Sequence, residues 1–260
     1  SLVVDLTPPA ITLTGADVNV AHSGSYTDPG ATAQDTVDGT VTVSVSHAVD
    51  PSTVGAYTVS YSATDSAGNV AAAARVVTII DQTPPVIILA GSAAVTVEAA
   101  TSYLDAGASS SDAVDGNLTG TMVIVNPINE TTLKQPGAYT ATYTSTDGAG
   151  NIATVTRAVN VVDTTKPVIT LTGAESVEQE AKVAYADLGA SASDTLDGAV
   201  TVSVNDSEVN VDALGSYTVT YSATDGAGNT GTKTRTVSVV DTTAPVISLF
   251  GDNEITVEAG

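Results

Sequence analysis

The stretch Tyr57-Thr-Val-Ser-Tyr-Ser-Ala63 alternates without a break, so Tyr57, Val59, Tyr61 and Ala63 share one face of an extended strand. After Thr64 comes Asp65-Ser-Ala-Gly-Asn69, a run of residues that ends strands and turns the chain. The same order returns at Tyr139 with Asp147-Gly-Ala-Gly-Asn151, and at Tyr217 with Asp225-Gly-Ala-Gly-Asn229. Other phrases recur around this nucleus. Tyr-x-Asp-x-Gly-Ala starts at Tyr26, Tyr103 and Tyr185, and Asp-x-x-Asp-Gly at Asp35, Asp112 and Asp194. The chain's 9 tyrosines all belong to the pattern, three to a unit.

A leading phrase marks the repeat boundaries. Asp5-Leu-Thr-Pro-Pro-Ala-Ile-Thr-Leu13 is echoed from Asp81, Asp163 and Asp241, at intervals of 76, 82 and 78 residues. Such a period in a chain of 260 residues is a tandem array. The expected organisation is residues 1–4 as the end of a preceding repeat, repeats at 5–80, 81–162 and 163–240, and 241–260 as the start of a fourth. Val3-Val4-Asp5 matches Val161-Val162-Asp163, and Thr256-Val257-Glu258 matches Thr96-Val97-Glu98.

Within a unit the reading is all-β. Thr40-Val-Thr-Val-Ser-Val-Ser46 alternates strictly and is expected to form one strand. Gly, Asp, Asn and Pro clusters punctuate the runs at hairpin spacing, and no segment keeps a helical period. Six or seven short strands in such a unit make a small two-sheet sandwich with truncated middle strands. Tyr57, Tyr139 and Tyr217 each follow a glycine, where immunoglobulin-like sandwiches place the tyrosine corner.

Composition narrows the function classes. Acidic residues outnumber basic ones 29 to 7, for a net charge of −22, which excludes a nucleic-acid partner and disfavours an anionic membrane surface. Without cysteine there are no disulfides, thiolate metal sites or thiol nucleophiles. No apolar run has the length of a membrane span, so direct insertion is not expected.

The series Asp163-Thr-Thr-Lys-Pro-Val-Ile-Thr-Leu171, Thr256-Val-Glu-Ala-Gly260, Tyr-x-Asp-x-Gly-Ala, Asp-x-x-Asp-Gly and Tyr-Thr-Val-x-Tyr-x-Ala-Thr-Asp-x-Ala-Gly-Asn resembles the bacterial immunoglobulin-like tandem repeats of large cell-surface, adhesin-type proteins. It is similar also to the hyalin-type repeat. The resemblance covers nearly the whole chain. It implies a tandem array of small immunoglobulin-like β-sandwich domains, an extracellular or bacterial cell-surface location, and a spacer role. It also implies where the recurrent Asp residues go. The loops after the second and before the last strand of such a sandwich lie where the chain enters. One pole would then collect Asp5, Asp35, Asp38, Asp65 and Asn69; the next Asp81, Asp112, Asp115, Asp147 and Asn151; the third Asp163, Asp194, Asp197, Asp225 and Asn229, with Asp241 opening a fourth.

Four carboxylates in one place repel unless neutralised, and the few basic residues cannot do it. A hard cation answers that need, and Ca²⁺ takes carboxylate, amide and carbonyl oxygens at six to eight positions. The expectation is therefore calcium at the junctions. An ordinary reading stands beside it: Asp-x-Ala-Gly-Asn and Asp-Gly are also plain turn chemistry, and a turn can present its carboxylate outward as well. From the opposite pole of the preceding unit, Asp28, Glu98, Asp105, Glu180 and Asp187 are further candidate ligands. Ala21 stands where Glu98 and Glu180 do, so an assisted site is expected to be weaker around Asp81.

Catalysis is not expected. His22 and His47 have no counterparts in the other repeats, and carboxylate pairs copied in every unit are unlike an active site. Lys134, Lys166, Lys182 and Lys233 share no framework position, which argues against a Lys–Asn staple in each unit. Arg75, Arg157 and Arg235 do recur, and read as surface ion pairs worth about 0–1 kcal/mol. The partners expected are neighbouring repeats of the same chain and, in an alternative reading, other copies in a laterally assembled or strand-exchanging filament, with Thr201-Val-Ser-Val204 as a pairing edge. A second alternative is a glycan- or protein-binding module that reads through the loops, the insertion Pro127–Gln135 included; the plain account of that insertion is a tolerated surface loop.

Overall fold

The computed structural model describes residues 4–248, 250–251 and 257; of the expected flanking fragments, residues 1–3, 249, 252–256 and 258–260 lie outside the described residues. Three tandem sandwiches fill the chain, each with seven strands. In the first, β1 (Ala10–Leu13), β3 (Ala31–Asp35) and β4 (Gly39–Val41) form one sheet. Its second sheet runs β2 (Val18–Ala21), β7 (Val70–Ile80), β6 (Gly55–Thr64) and β5 (Val43–Ser46). The second sandwich repeats this with β8 (Val86–Leu89), β10 (Ala108–Asp112) and β11 (Gly116–Asn117) facing β9 (Ala94–Glu98), β14 (Ile152–Val162), β13 (Gly137–Thr146) and β12 (Val123–Val125). The third pairs β15 (Val168–Leu171), β17 (Ala190–Asp194) and β18 (Gly198–Val200) with β16 (Ser176–Glu180), β21 (Thr230–Val240), β20 (Gly215–Thr224) and β19 (Val202–Asn205).

The hairpin read from Tyr57 is the spine of each unit. β6 and β7 pair antiparallel from Gly55 opposite Ile79 to Thr64 opposite Val70, and β2 joins that sheet parallel to β7. The inward positions are those of the alternation: Val59, Tyr61 and Ala63 are buried. The expected continuous strand Thr40–Ser46 is corrected. It breaks at Thr42, with β4 pairing in one sheet and β5 in the other. Alternation does not register the switch, because Val41 and Val43 face the same interior from either sheet. The tyrosine corner is present in all three units: the hydroxyls of Tyr57, Tyr139 and Tyr217 donate to the carbonyls of Thr53, Gln135 and Ala213 at 2.9, 2.8 and 2.9 Å.

The cores are small, built mostly from Val, Ala and Tyr, and each contains an arginine. Arg75, Arg157 and Arg235 are 0, 1 and 0% exposed, so the surface ion pairs expected at these positions are corrected to buried ones. By the contacts its residues make, the chain divides into two compact units. One is Ser1–Val95 with Leu104–Pro127 and Thr140–Ala158; the other is Thr96–Tyr103 with Ile128–Tyr139 and Val159–Gly260. The junction from the first sandwich to the second therefore lies inside the first unit, and the junction from the second to the third inside the second unit. No helix among the described residues is long and apolar enough to cross a membrane.

Candidate metal centre

Three segments meet at the end of each sandwich where the chain arrives. The leading Asp comes first. One oxygen of Asp5, Asp81 and Asp163 accepts the backbone N–H two residues on, from Thr7, Thr83 and Thr165, at 3.0, 3.0 and 3.2 Å. The second segment is the turn after β3, β10 or β17. Asp35 Oδ1 caps it by accepting from Val37 and Asp38 N–H at 2.7 and 3.0 Å; Asp112 and Asp194 do the same for Val114 with Asp115 and for Leu196 with Asp197. The third is the hairpin turn of the last two strands, where Asp65, Asp147 and Asp225 accept from both the backbone and the side-chain amide of Asn69, Asn151 and Asn229.

Hydrogen bonds lace the segments together. The Asn69, Asn151 and Asn229 amides also donate to the carbonyls of Asp5, Asp81 and Asp163 at 3.3, 3.4 and 3.2 Å, tying turn to linker. Asp38, Asp115 and Asp197 reach across to accept from Ser66, Gly148 and Gly226 N–H, each at 2.8 Å. Carboxylate atoms of Asp81, Asp112, Asp115 and Asp147 consequently all lie within 4.8 Å of one another, as do those of Asp163, Asp194, Asp197 and Asp225. At the first pole the group is Asp5, Asp35 and Asp38, without Asp65. Asp241 joins no such group among the described residues.

The electrostatics are uneven within a pole. Backbone N–H groups of the turn hold Asp35 and Asp112 below the usual carboxylate range. Burial pushes Asp225 up, and the Asn229 hydrogen bonds outweigh it, leaving its acidity strengthened. Asp163 goes the other way. Burial raises it most, and with the charges of Asp194, Asp225 and Glu98 added it outweighs the one N–H from Thr165. One observation tests directly whether this donor set suits a cation. Asp5, Asp81 and Asp163 each turn a buried Oδ2 inward with no hydrogen-bond donor, and so do Asp35 and Asp194, both 8% exposed. A buried carboxylate oxygen without a donor is costly unless a cation meets it, and an all-oxygen set suits a hard one.

The sequence matches the Ig-like domain of bacterial surface proteins three times, over residues 11–79, 87–161 and 169–239. The chain belongs to the bacterial surface Ig-like domain family. It is 32% identical to hyalin of Lytechinus variegatus over 99% of its own length and 52% of that protein's, and 31% identical to hyalin of Strongylocentrotus purpuratus over 74% and 17%. The chain thus spans about half the length of the first of these relatives and less of the second. Among solved structures it is similar to mouse cadherin-23 EC22-24, at 16% identity over 90% of this chain and 99% of that one, with a TM-score of 0.34.

In this Ig-like chain the five further candidates from the opposite pole separate into two kinds. Asp28, Asp105 and Asp187 are corrected: they do not join a pole but pair with the buried arginines. Arg75 and Arg235 donate to Asp28 and Asp187 at 3.2 and 2.6 Å, and Arg157 donates to Asp105. Tyr61, Tyr143 and Tyr221 hydroxyls donate to the same carboxylates at 2.6, 2.5 and 2.5 Å, under guanidinium carbons 5.9, 5.7 and 5.5 Å from the ring centres. A carboxylate already neutralised by a guanidinium offers a metal little. Burial and the Asp28 charge push the Tyr61 hydroxyl up to about 12. The co-recurrence of Tyr-x-Asp with a late-strand Arg carried this signal, since an invariant charge pair inside a repeat is as easily a core device as a surface one.

Glu98 and Glu180 do reach the following linker. Glu98 accepts from both the N–H and the hydroxyl of Thr164 and of Thr165, at 2.7–3.1 Å. Glu180 takes the same position on Thr242 and Thr243. These donors strengthen the acidity of both, Thr164 N–H leading for Glu98 and the Thr242 hydroxyl for Glu180. Each Glu acts first as a clamp on the Asp-Thr-Thr linker.

Proposed function

We propose that this chain is a non-catalytic extender of an extracellular or cell-surface protein, with Ca²⁺ stiffening the junctions that open its repeats at 5–80, 81–162 and 163–240. The observation that carries the reading is the buried, donor-less Oδ2 of Asp5, Asp81 and Asp163, repeated at these three poles beside two or three further carboxylates. Asp35, Asp112 and Asp194 with Asp38, Asp115 and Asp197 would complete the oxygen set, with Asp147 and Asp225 at the later poles. The side-chain nitrogens of Asn69, Asn151 and Asn229 are spent on the turn and linker, so each has only its amide oxygen to offer. Membership of a bacterial surface family supports the location. Extracellular calcium modules bind at about 10⁻⁴–10⁻³ M, which suits millimolar calcium outside a cell.

Calorimetric titration of the full chain with CaCl₂ tests this, read together with small-angle scattering. The expected outcome is saturable binding, and a longer, less flexible particle in calcium than in chelator. Heats no larger than dilution, with identical scattering curves in both conditions, would remove the calcium role.

A filament subunit is the second reading, supported by one feature. The edge strand β12 leaves Val123, Ile124 and Val125 exposed at 61, 50 and 62%, with no Lys or Pro within it to block pairing. Electron microscopy of concentrated material distinguishes the two, since lateral ribbons belong only to this one.

A further inference from the structure

The two junctions inside the chain are built differently. At the junction from the second sandwich to the third, the Asn126–Gly137 connection folds back through a single 3-10 turn, Thr132–Lys134. Ala100 N–H donates to Leu133 O at 2.8 Å, and the Leu133 side chain is 7% exposed in a cluster with Ala99 and Val161. Against that cluster packs Leu196, which belongs to the following sandwich and sits between the pole residues Asp194 and Asp197. Lys134 and Pro136 from the same connection line a hollow with Asp163, Leu196 and Asp197, bringing a positive charge to the rim of the third pole. Glu98 holds Thr164 and Thr165 of the linker as described above.

The earlier junction keeps the corresponding backbone bond, Ser23 N–H to Pro51 O at 2.7 Å, and a hollow in the same place, but it lacks the Glu clamp, the buried leucine and the lysine. The residue equivalent to Glu98 is Ala21, which ends β2 as Glu98 ends β9, and its side chain has no acceptor. The residue equivalent to Leu196 is Val114, which faces Val54 across a hollow shared with Asp81 and Asp115. Val54 remains 40% exposed there. The connection carrying Val54 is shorter than the one carrying Leu133.

We infer that the Asn126–Gly137 connection is an interdomain clasp, in which Leu133 receives Leu196 and keeps the 163–167 linker closed without an ion. The 81–85 linker, which has no clasp, is left as the hinge of this segment that a cation closes. The clasp stands on packing alone. The hinge rests on the calcium reading proposed above.

The chain has no cysteine, so paired spin labels can be placed at will. Asn160→Cys with Thr232→Cys spans the clasped junction, and Ser60→Cys with Thr154→Cys the other; all four residues are exposed. In EDTA the first pair is expected to keep a sharp distance peak, and to lose it when Leu196→Ser is added. Calcium should then restore it. Leu196 lies on a surface turn, so this variant spares the core of the second sandwich, and a circular-dichroism melt matching the parent confirms folding. Leu133→Ala attacks the same contact from the other side and should give the same loss. A peak that is already broad in EDTA with Leu196 present, or one that stays sharp without it, overturns the clasp. The second pair is expected to be broad in EDTA and sharp in calcium. If it is sharp in both, calcium control of that linker fails while the first pair still judges the clasp.

Discussion

Arg235 is a charged side chain placed in the middle of a small apolar core, and its surroundings explain how it is tolerated. Its guanidinium donates to Asp187 and to the carbonyls of Ala174 and Thr172, and lies over the Tyr221 ring. Removing one member of a buried pair strands the other, at a cost of about 3–5 kcal/mol. Arg235→Met is therefore expected to destabilise the third sandwich by about that amount in urea titration, far above the 0–1 kcal/mol of a surface pair. The carboxylates also set the acid limit. Burial acts to raise Asp28, Asp105 and Asp187, but tyrosine hydroxyls, glycine N–H groups and the arginines together hold all three low. A depressed folded-state pKa contributes stability above the unfolded value and loses it as pH falls through the folded one. Stability should thus hold from neutral pH down to about pH 4 and fall below it. A melting temperature already dropping between pH 7 and 5 in chelator would count against this network as the acid-sensitive element.

At the level of elements, the same strands are tuned differently to fit different linkers. Ala63 faces Ala71 in the first unit, whereas Ala223 faces Gly231 in the third. A Cβ built on Gly231 would lie 2.1 Å from the Pro167 carbonyl oxygen. The Lys-Pro linker crosses β21 at a distance only glycine allows. Gly231→Ala is expected to displace that linker and lower stability by about 1–3 kcal/mol, the usual penalty of overpacking. Thermal unfolding measures it, and an unchanged transition would mean the linker moves aside freely. The sheet switch at Thr42 belongs to this scale too. Two short strands replace a long one because a sandwich edge must pair with whichever sheet lies beside it.

For the whole molecule, a charge of −22 raises a choice between diffuse repulsion and localised sites. Screening separates them. The Debye length is about 3 Å at 1 M salt, so monovalent salt removes long-range repulsion without filling a cluster of carboxylates. In EDTA, 1 M NaCl is expected to leave the unclasped 81–85 linker flexible in scattering, while a few millimolar CaCl₂ stiffens it at low salt. If NaCl reproduces the calcium effect, the acidic poles are only a diffuse charge and not binding sites.

Local repetition made the fold legible from residues alone. Tyr57 to Ala63 and its copies state strand, face and turn within a dozen positions, because side-chain alternation and turn chemistry act between near neighbours. The three-segment poles were also readable, once the recurrent phrases were given the ends of a sandwich. What sequence could not assign was the partner of each charge. Asp28, Asp105 and Asp187 sit in a phrase as regular as that of Asp35, Asp112 and Asp194, yet one set faces a guanidinium and the other its fellow carboxylates. Only the packing of two sheets decides which charges come within a few ångströms, and burial there, more than residue type, determines whether an acid is neutralised or left wanting a cation.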